Sequence, residues 1–80
     1  MGKQRVMFTF PTHLIKEPII YLLGRDFPVV TNIRRADIRE DMGWVVLELE
    51  GDEAEIRRGL DWVGSSGVRG DLVSGDVIEG

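Results

Sequence analysis

Residues 29–50 read VVTNIRRADIREDMGWVVLELE, and the way this stretch is parsed decides the fold. Its second half alternates without a fault. Val45, Leu47 and Leu49 fall on one side, and Trp44, Val46, Glu48 and Glu50 on the other. A period of two in branched and aromatic residues marks a strand with one buried face. The first half is also strand-like, but its phase slips. Val29, Thr31 and Ile33 share one side and Ala36 and Ile38 the other, and a bulge between them reconciles the two runs. Glu40-Asp41-Met42-Gly43 has the composition of a hairpin turn.

Upstream, Ile19, Leu22 and Leu23 repeat at helical spacing, with Ile15 one turn earlier at the entrance. Pro18 suits a first helical turn, where its missing N–H costs nothing, and Phe27-Pro28 closes the element after Gly24. Tyr21 and Arg25 fall on its outer side. Before it, Val6, Phe8 and Phe10 alternate with Arg5, Met7 and Thr9 as a strand that Pro11 ends. Downstream, Asp52 followed by Glu55 predicts a capping box at the start of a second helix. Ile56, Gly59, Leu60 and Val63 are its apolar stripe, Arg57, Arg58 and Asp61 face solvent, and Trp62 covers the core edge. Gly64-Ser65-Ser66-Gly67 stops it. Val68 to Val73 is a last strand weakened by Gly70, and residues 74–80 read as a frayed tail.

The order is β-α-β-β-α-β, an α+β, ferredoxin-like arrangement in which two helices cover one face of a four-stranded antiparallel sheet. A single domain over residues 1–80 is expected, with its core at about 5–73. In this topology the first and third strands are central neighbours. The face away from the helices then carries Met7 and Thr9 beside Trp44 and Val46. Apolar residues in the middle of an open sheet mark a contact surface.

With 80 residues there is room for one core only. A chain of this size buries roughly 60–65% of its unfolded surface, so further burial by a ligand or a second subunit helps it. The net charge of −4 disfavours phosphate backbones and anionic membranes, and no nucleic-acid partner is expected. The sheet face has one aromatic, Trp44, and lacks the pattern of RNA-recognition domains. There is no cysteine, which excludes disulfides, thiolate metal sites and iron–sulfur clusters. No apolar run reaches spanning length, so no membrane insertion is expected, and with no signal peptide evident the expected location is cytoplasmic.

A catalytic site has few candidates. His13 is the only histidine, and it precedes the first helix without a cysteine to join it. Asp37, Glu40 and Asp41 are interleaved with Arg34, Arg35 and Arg39, a mixed-sign ribbon typical of a solvated strand. No Gly-rich phosphate cradle occurs, and Arg69-Gly70-Asp71 is read as a coincidental tripeptide. The expectation is no enzyme activity, no cofactor and no metal.

Phe8, then Glu17-Pro18-Ile19-Ile20, Leu23, Arg25 and Phe27, then Asn32-Ile33, Gly43, Val45 to Leu49 and Gly51, then Ile56, Leu60 and Val68 together resemble the NIL domain, named for an Asn-Ile-Leu motif. The resemblance runs from about Val6 to Val73. It implies a ferredoxin-like fold related in shape to ACT amino-acid-sensing domains. It also implies kinship with the C-terminal regulatory part of methionine-importer ATPases, which pair as dimers and bind methionine near the domain junction. Members also occur fused to ferredoxin modules and as free-standing proteins, and this chain looks like the regulatory module alone.

By the same resemblance Asn32 inherits the ligand-binding position, with its neighbour Ile33. A buried Asn amide has donors and an acceptor for an amino acid's carboxylate and ammonium. Arg34 stands where the motif has Leu, as a ligand or interface contact able to pair with a carboxylate. Phe10 stands where a small residue is common, and Gly70 where the last strand usually has an aliphatic. The function expected is a regulatory domain that senses methionine or a related amino acid or sulfur metabolite. It acts as a homodimer through Met7, Trp44 and Val46. The alternative is a ligand-free interaction module docking on a transporter or a ferredoxin-type redox partner.

Overall fold

The structure is a computed structural model that describes residues 2–15 and 17–73. The expected tail at 74–80 lies outside the described residues. Strand β1 (Gly2–Phe10) leads through a 3₁₀ turn (Thr12–Leu14) to helix α1 (Ile19–Asp26). Strands β2 (Val30–Ile38) and β3 (Gly43–Gly51) form a hairpin, followed by helix α2 (Glu53–Ser65) and strand β4 (Arg69–Val73). The sheet order is β2-β3-β1-β4, antiparallel throughout. β1 and β3 are therefore the central pair, as the alternation of residues 44–50 requires.

The period-two pattern sorts the side chains as expected. Val6, Phe8 and Phe10 of β1 and Val45, Leu47 and Leu49 of β3 are buried, and they form one cluster with Ile19, Leu23, Ile56 and Val63 of the helices. Both helices thus cover one face of the sheet. The phase slip in β2 is a bulge: Ile33 faces Leu47 and Arg35 faces Val46, so Arg34 is skipped. That extra residue returns Ala36 and Ile38 to the side of Val45 and Gly43, the helix side. The turn is closed by Arg39 N–H donating to the Met42 carbonyl at 2.7 Å.

Three local details differ from the sequence reading. β1 begins at Gly2 rather than near Arg5, because β3 runs on to Gly51 and supplies partners for Gly2 and Lys3. Pro18 occupies the N-cap position of α1 instead of its first turn, and the chain before it makes a separate 3₁₀ turn. Asp52 does occupy the N-cap of α2, but its side chain makes no capping hydrogen bond. The reciprocal half of the box is missing as well, since the Glu55 carboxylate accepts from Arg58 one turn on. The helix ends as the Gly-Ser-Ser-Gly run predicts. Gly67 has φ +98°, a conformation open to glycine, and both Ser65 and Ser66 hydroxyls donate to the Trp62 carbonyl.

Candidate functional site

The open face of the sheet is where the pattern concentrates apolar side chains without helices above them. Residues opposite each other in an antiparallel pair project to the same side. Met7 faces Val46 and Thr9 faces Trp44, which sets these four together at the centre. They line a shallow hollow of 460 Å³ with Met42 from the hairpin turn and Arg35 from β2. Met7, Trp44 and Val46 are half-buried by these neighbours, whereas Met42 is exposed.

Around the hollow the charges are paired. Arg5 donates to Glu48 at 3.4 Å, Arg39 to Asp37 at 3.2 Å, and Arg69 to Asp71 at 3.1 Å. The hydrogen bond from Arg39 to Asp37, and then the charge of that carboxylate, raise the Arg39 pKa above its ordinary value. Exposed pairs of this kind stabilise little, because solvent screens them. These three pairs make a rim that is neutral in sum, and Arg35 adds one cation to the lining of the hollow outside them. Arg69-Gly70-Asp71 is part of that rim, its charged residues bonded to one another on β4.

The residues singled out on β2 are brought to different places. Ile33, opposite Leu47, lies on the helix side, yet it is 61% exposed because β2 is an edge strand beyond the cover of α1. It borders an apolar groove of 280 Å³ with Phe10, Pro18, Ile20 and Ile38, and Glu17 is the charged group there among the described residues. Asn32, opposite Glu48, projects to the open face and is exposed. The expectation of a buried Asn amide is therefore corrected: an edge strand has no second neighbour to bury it. Arg34 occupies the bulge and is exposed. The structure does not gather Asn32, Ile33 and Arg34 into one pocket within a single copy.

Sequence reasoning missed Arg35 and Met42 in the central hollow. The phase slip announced a bulge without fixing which residue is skipped, and only that choice decides whether Arg34 or Arg35 lies across from Val46. It also missed Ile38 as a wall of the β2 groove. His13 is exposed in the 3₁₀ turn. Among the described residues no polar or charged side chain is buried, and no group of three His, Asp or Glu side chains is placed to hold a metal ion. No helix among them is long and apolar enough to cross a membrane.

Comparison with known proteins adds three findings. A family model described as the NIL domain matches residues 4–70. The crystal structure of the C-terminal domain of an ABC transporter ATP-binding protein from Enterococcus faecalis is similar, with a TM-score of 0.79 at 19% identity over 91% of this chain and 86% of that one. A de novo designed protein, Ferredog-Diesel, is similar with a TM-score of 0.55 at 16% identity over 91% and 85% of the two chains. At these identities the two structures carry the fold and nothing beyond it. No curated protein matches the chain.

Proposed function

The chain belongs to the NIL domain family, and on that premise we propose that it is a non-catalytic, small-molecule-binding regulatory domain that works as a cytoplasmic homodimer. Its ligand is methionine or a related amino acid or sulfur metabolite. The observation that carries the reading is the open face, where Met7, Trp44 and Val46 form an apolar centre inside a rim of paired charges. Apolar centre and polar rim are the anatomy of a protein interface. Two such faces brought together bury both Trp44 side chains, and they add the burial that a domain of this size lacks on its own.

The ligand reading rests on the margin formed by β2. Asn32 and Arg34 supply an amide and a guanidinium for an amino acid's charged groups, and Ile33 belongs to a groove suited to an aliphatic or thioether side chain. Ile33 lies on the helix side of the sheet whereas Asn32 shares the open face, so a site at the junction of two copies is built around Asn32. A ligand held there favours the paired form in proportion to its differential affinity for that form. The natural partner is a transporter, in keeping with the ATP-binding protein whose C-terminal domain shares this fold, or a ferredoxin-type protein.

Sedimentation at micromolar concentrations, with and without methionine, tests the reading. Trp44→Glu is expected to weaken self-association at least about thirtyfold, because loss of a central aromatic anchor costs roughly 2 kcal/mol or more. Wild type and variant sedimenting as identical monomers, together with no heat and no change in melting temperature across an amino-acid panel, overturns it. A silent panel with one stoichiometric protein partner on the open face establishes the second reading, a ligand-free docking module. The uncovered apolar hollow favours that reading equally.

A further inference from the structure

A second cavity lies on the helix side, at the margin opposite β2. It has a volume of 560 Å³ and runs between α2 and the start of β1, with β4 at its edge. Ile56 and Leu60 of α2 form its apolar floor with Leu72 of β4, which is 69% exposed. Leu72 faces Val6 in the register, so it projects to the helix side although neither helix extends over it. Glu53, Arg57 and Asp61 succeed one another at four-residue spacing along one flank of α2 and line the same cavity. Glu53 lies over the beginning of β1, its Cγ 3.5 Å from where a Cβ on Gly2 would stand.

None of Glu53, Arg57 and Asp61 makes an ion pair or side-chain hydrogen bond with another described residue. The next flank of the same helix behaves otherwise, because Arg58 there is bonded to Glu55. A guanidinium between two carboxylates, all three unengaged above an aliphatic floor, is complementary to a zwitterion with an apolar side chain. Among the described residues the β2 groove offers the carboxylate of Glu17 and no guanidinium on its walls. Lys3 lines the α2 cavity too, but its register opposite Glu50 sends its side chain to the open face. Among the described residues Arg57 is therefore the cation available.

We infer that the α2–β4 groove is a second ligand site, distinct from the β2 margin, that takes a free α-amino acid with an apolar side chain. Arg57 receives the α-carboxylate, one of the two flanking carboxylates (Glu53 or Asp61) the ammonium, and Ile56, Leu60 and Leu72 the side chain. The inference rests on the sensing reading in taking an amino acid as the ligand, and it differs in place and in needing one copy only. Leucine, methionine, N-acetylmethionine and methionine amide are titrated separately into the isotope-labelled full chain, with amide shifts followed residue by residue. The expected result is saturable shifts at Gly2, Leu60 and Leu72 with leucine and methionine. Affinity falls at least tenfold for the two analogues lacking a charge, and at least tenfold in Arg57→Gln or Leu72→Ser. Arg57 and Leu72 are exposed, and the unliganded spectrum of each variant reports that it folds. Shifts centred on Asn32 and Ile33 and unmoved by Arg57→Gln overturn this site and leave the sensing reading standing. No shift with any amino acid overturns both.

Discussion

Phe8→Ala lowers the melting temperature by on the order of 20 °C, the largest effect expected of any single substitution in this chain. Phe8 is fully buried in a central strand, between Val45 of β3 and Gly70 of β4. Its ring meets that of Phe10 edge to face, with centroids 6.4 Å apart. Removing a buried phenyl ring costs about 3–5 kcal/mol, and the value within that range depends on how far the surroundings collapse into the space. Here they collapse poorly. The β4 neighbour is a glycine, so there is no side chain on that side to swing inward. Against a total stability of about 4–12 kcal/mol for 80 residues, the loss is a quarter or more. Thermal and urea melts followed by circular dichroism measure it, with Tyr21→Ala as the exposed comparison, expected to change stability by no more than about 1 kcal/mol. A drop below about 5 °C for Phe8→Ala would place the centre of the core elsewhere.

Gly59→Leu destabilises by about 3 kcal/mol, for the opposite reason. Gly59 lies in the buried stripe of α2 where the helix meets α1, and a Cβ at that position would stand 2.7 Å from the Leu23 Cδ1 and 3.7 Å from the Phe27 ring. Leu23 is itself fully buried, so its methyl can yield to a Cβ but leaves no room for a whole leucine side chain. A leucine must also push aside Phe27, whose ring is held between Trp62 and the Arg58 guanidinium. The comparison that isolates this effect is Gly59→Ala. Its gain in helix propensity of about 1 kcal/mol offsets the displacement of one methyl, and the net change is close to zero. Urea midpoints for the two variants decide the matter. Equal midpoints would mean that the helices are free to move apart.

Much of this architecture was legible because period and topology constrain one another. Once Val45, Leu47 and Leu49 are fixed on one side of β3, the β-α-β-β-α-β order puts β1 beside it. That Met7 and Thr9 share the open face with Trp44 and Val46 then follows, whereas the register that sets Met7 opposite Val46 and Thr9 opposite Trp44 does not. Burial along β2 was not legible, because hydrophobicity there reports on a neighbour that an edge strand does not have. The alternation assigns Ile33 and Ile38 to sides of the strand without saying how well they are covered, and both are more than half exposed. Asn32 was expected to be buried on the strength of its place in a motif, and the same edge position leaves it in solvent. The cap at Asp52 failed for a local reason: Glu55 had two suitors, the backbone three residues before it and Arg58 three residues after, and the guanidinium won. The α2–β4 groove left no trace in the pattern. Glu53, Arg57 and Asp61 look like any solvated helix flank until Leu72 is seen to lie uncovered beside them.

The skipped residue in β2 has a consequence for how the chain behaves in a crowd. A long outer strand with aliphatic side chains is a template on which further chains deposit, each presenting the same template to the next. Here the free backbone groups run in step from Val30 to Ile33, lose a beat at Arg34, and resume at Arg35 in a new phase. An incoming straight strand can match one half or the other, and at the break it meets two adjacent guanidinium groups. The irregularity that turns Ile38 toward the helices thus also withholds the unbroken margin that fibril growth requires.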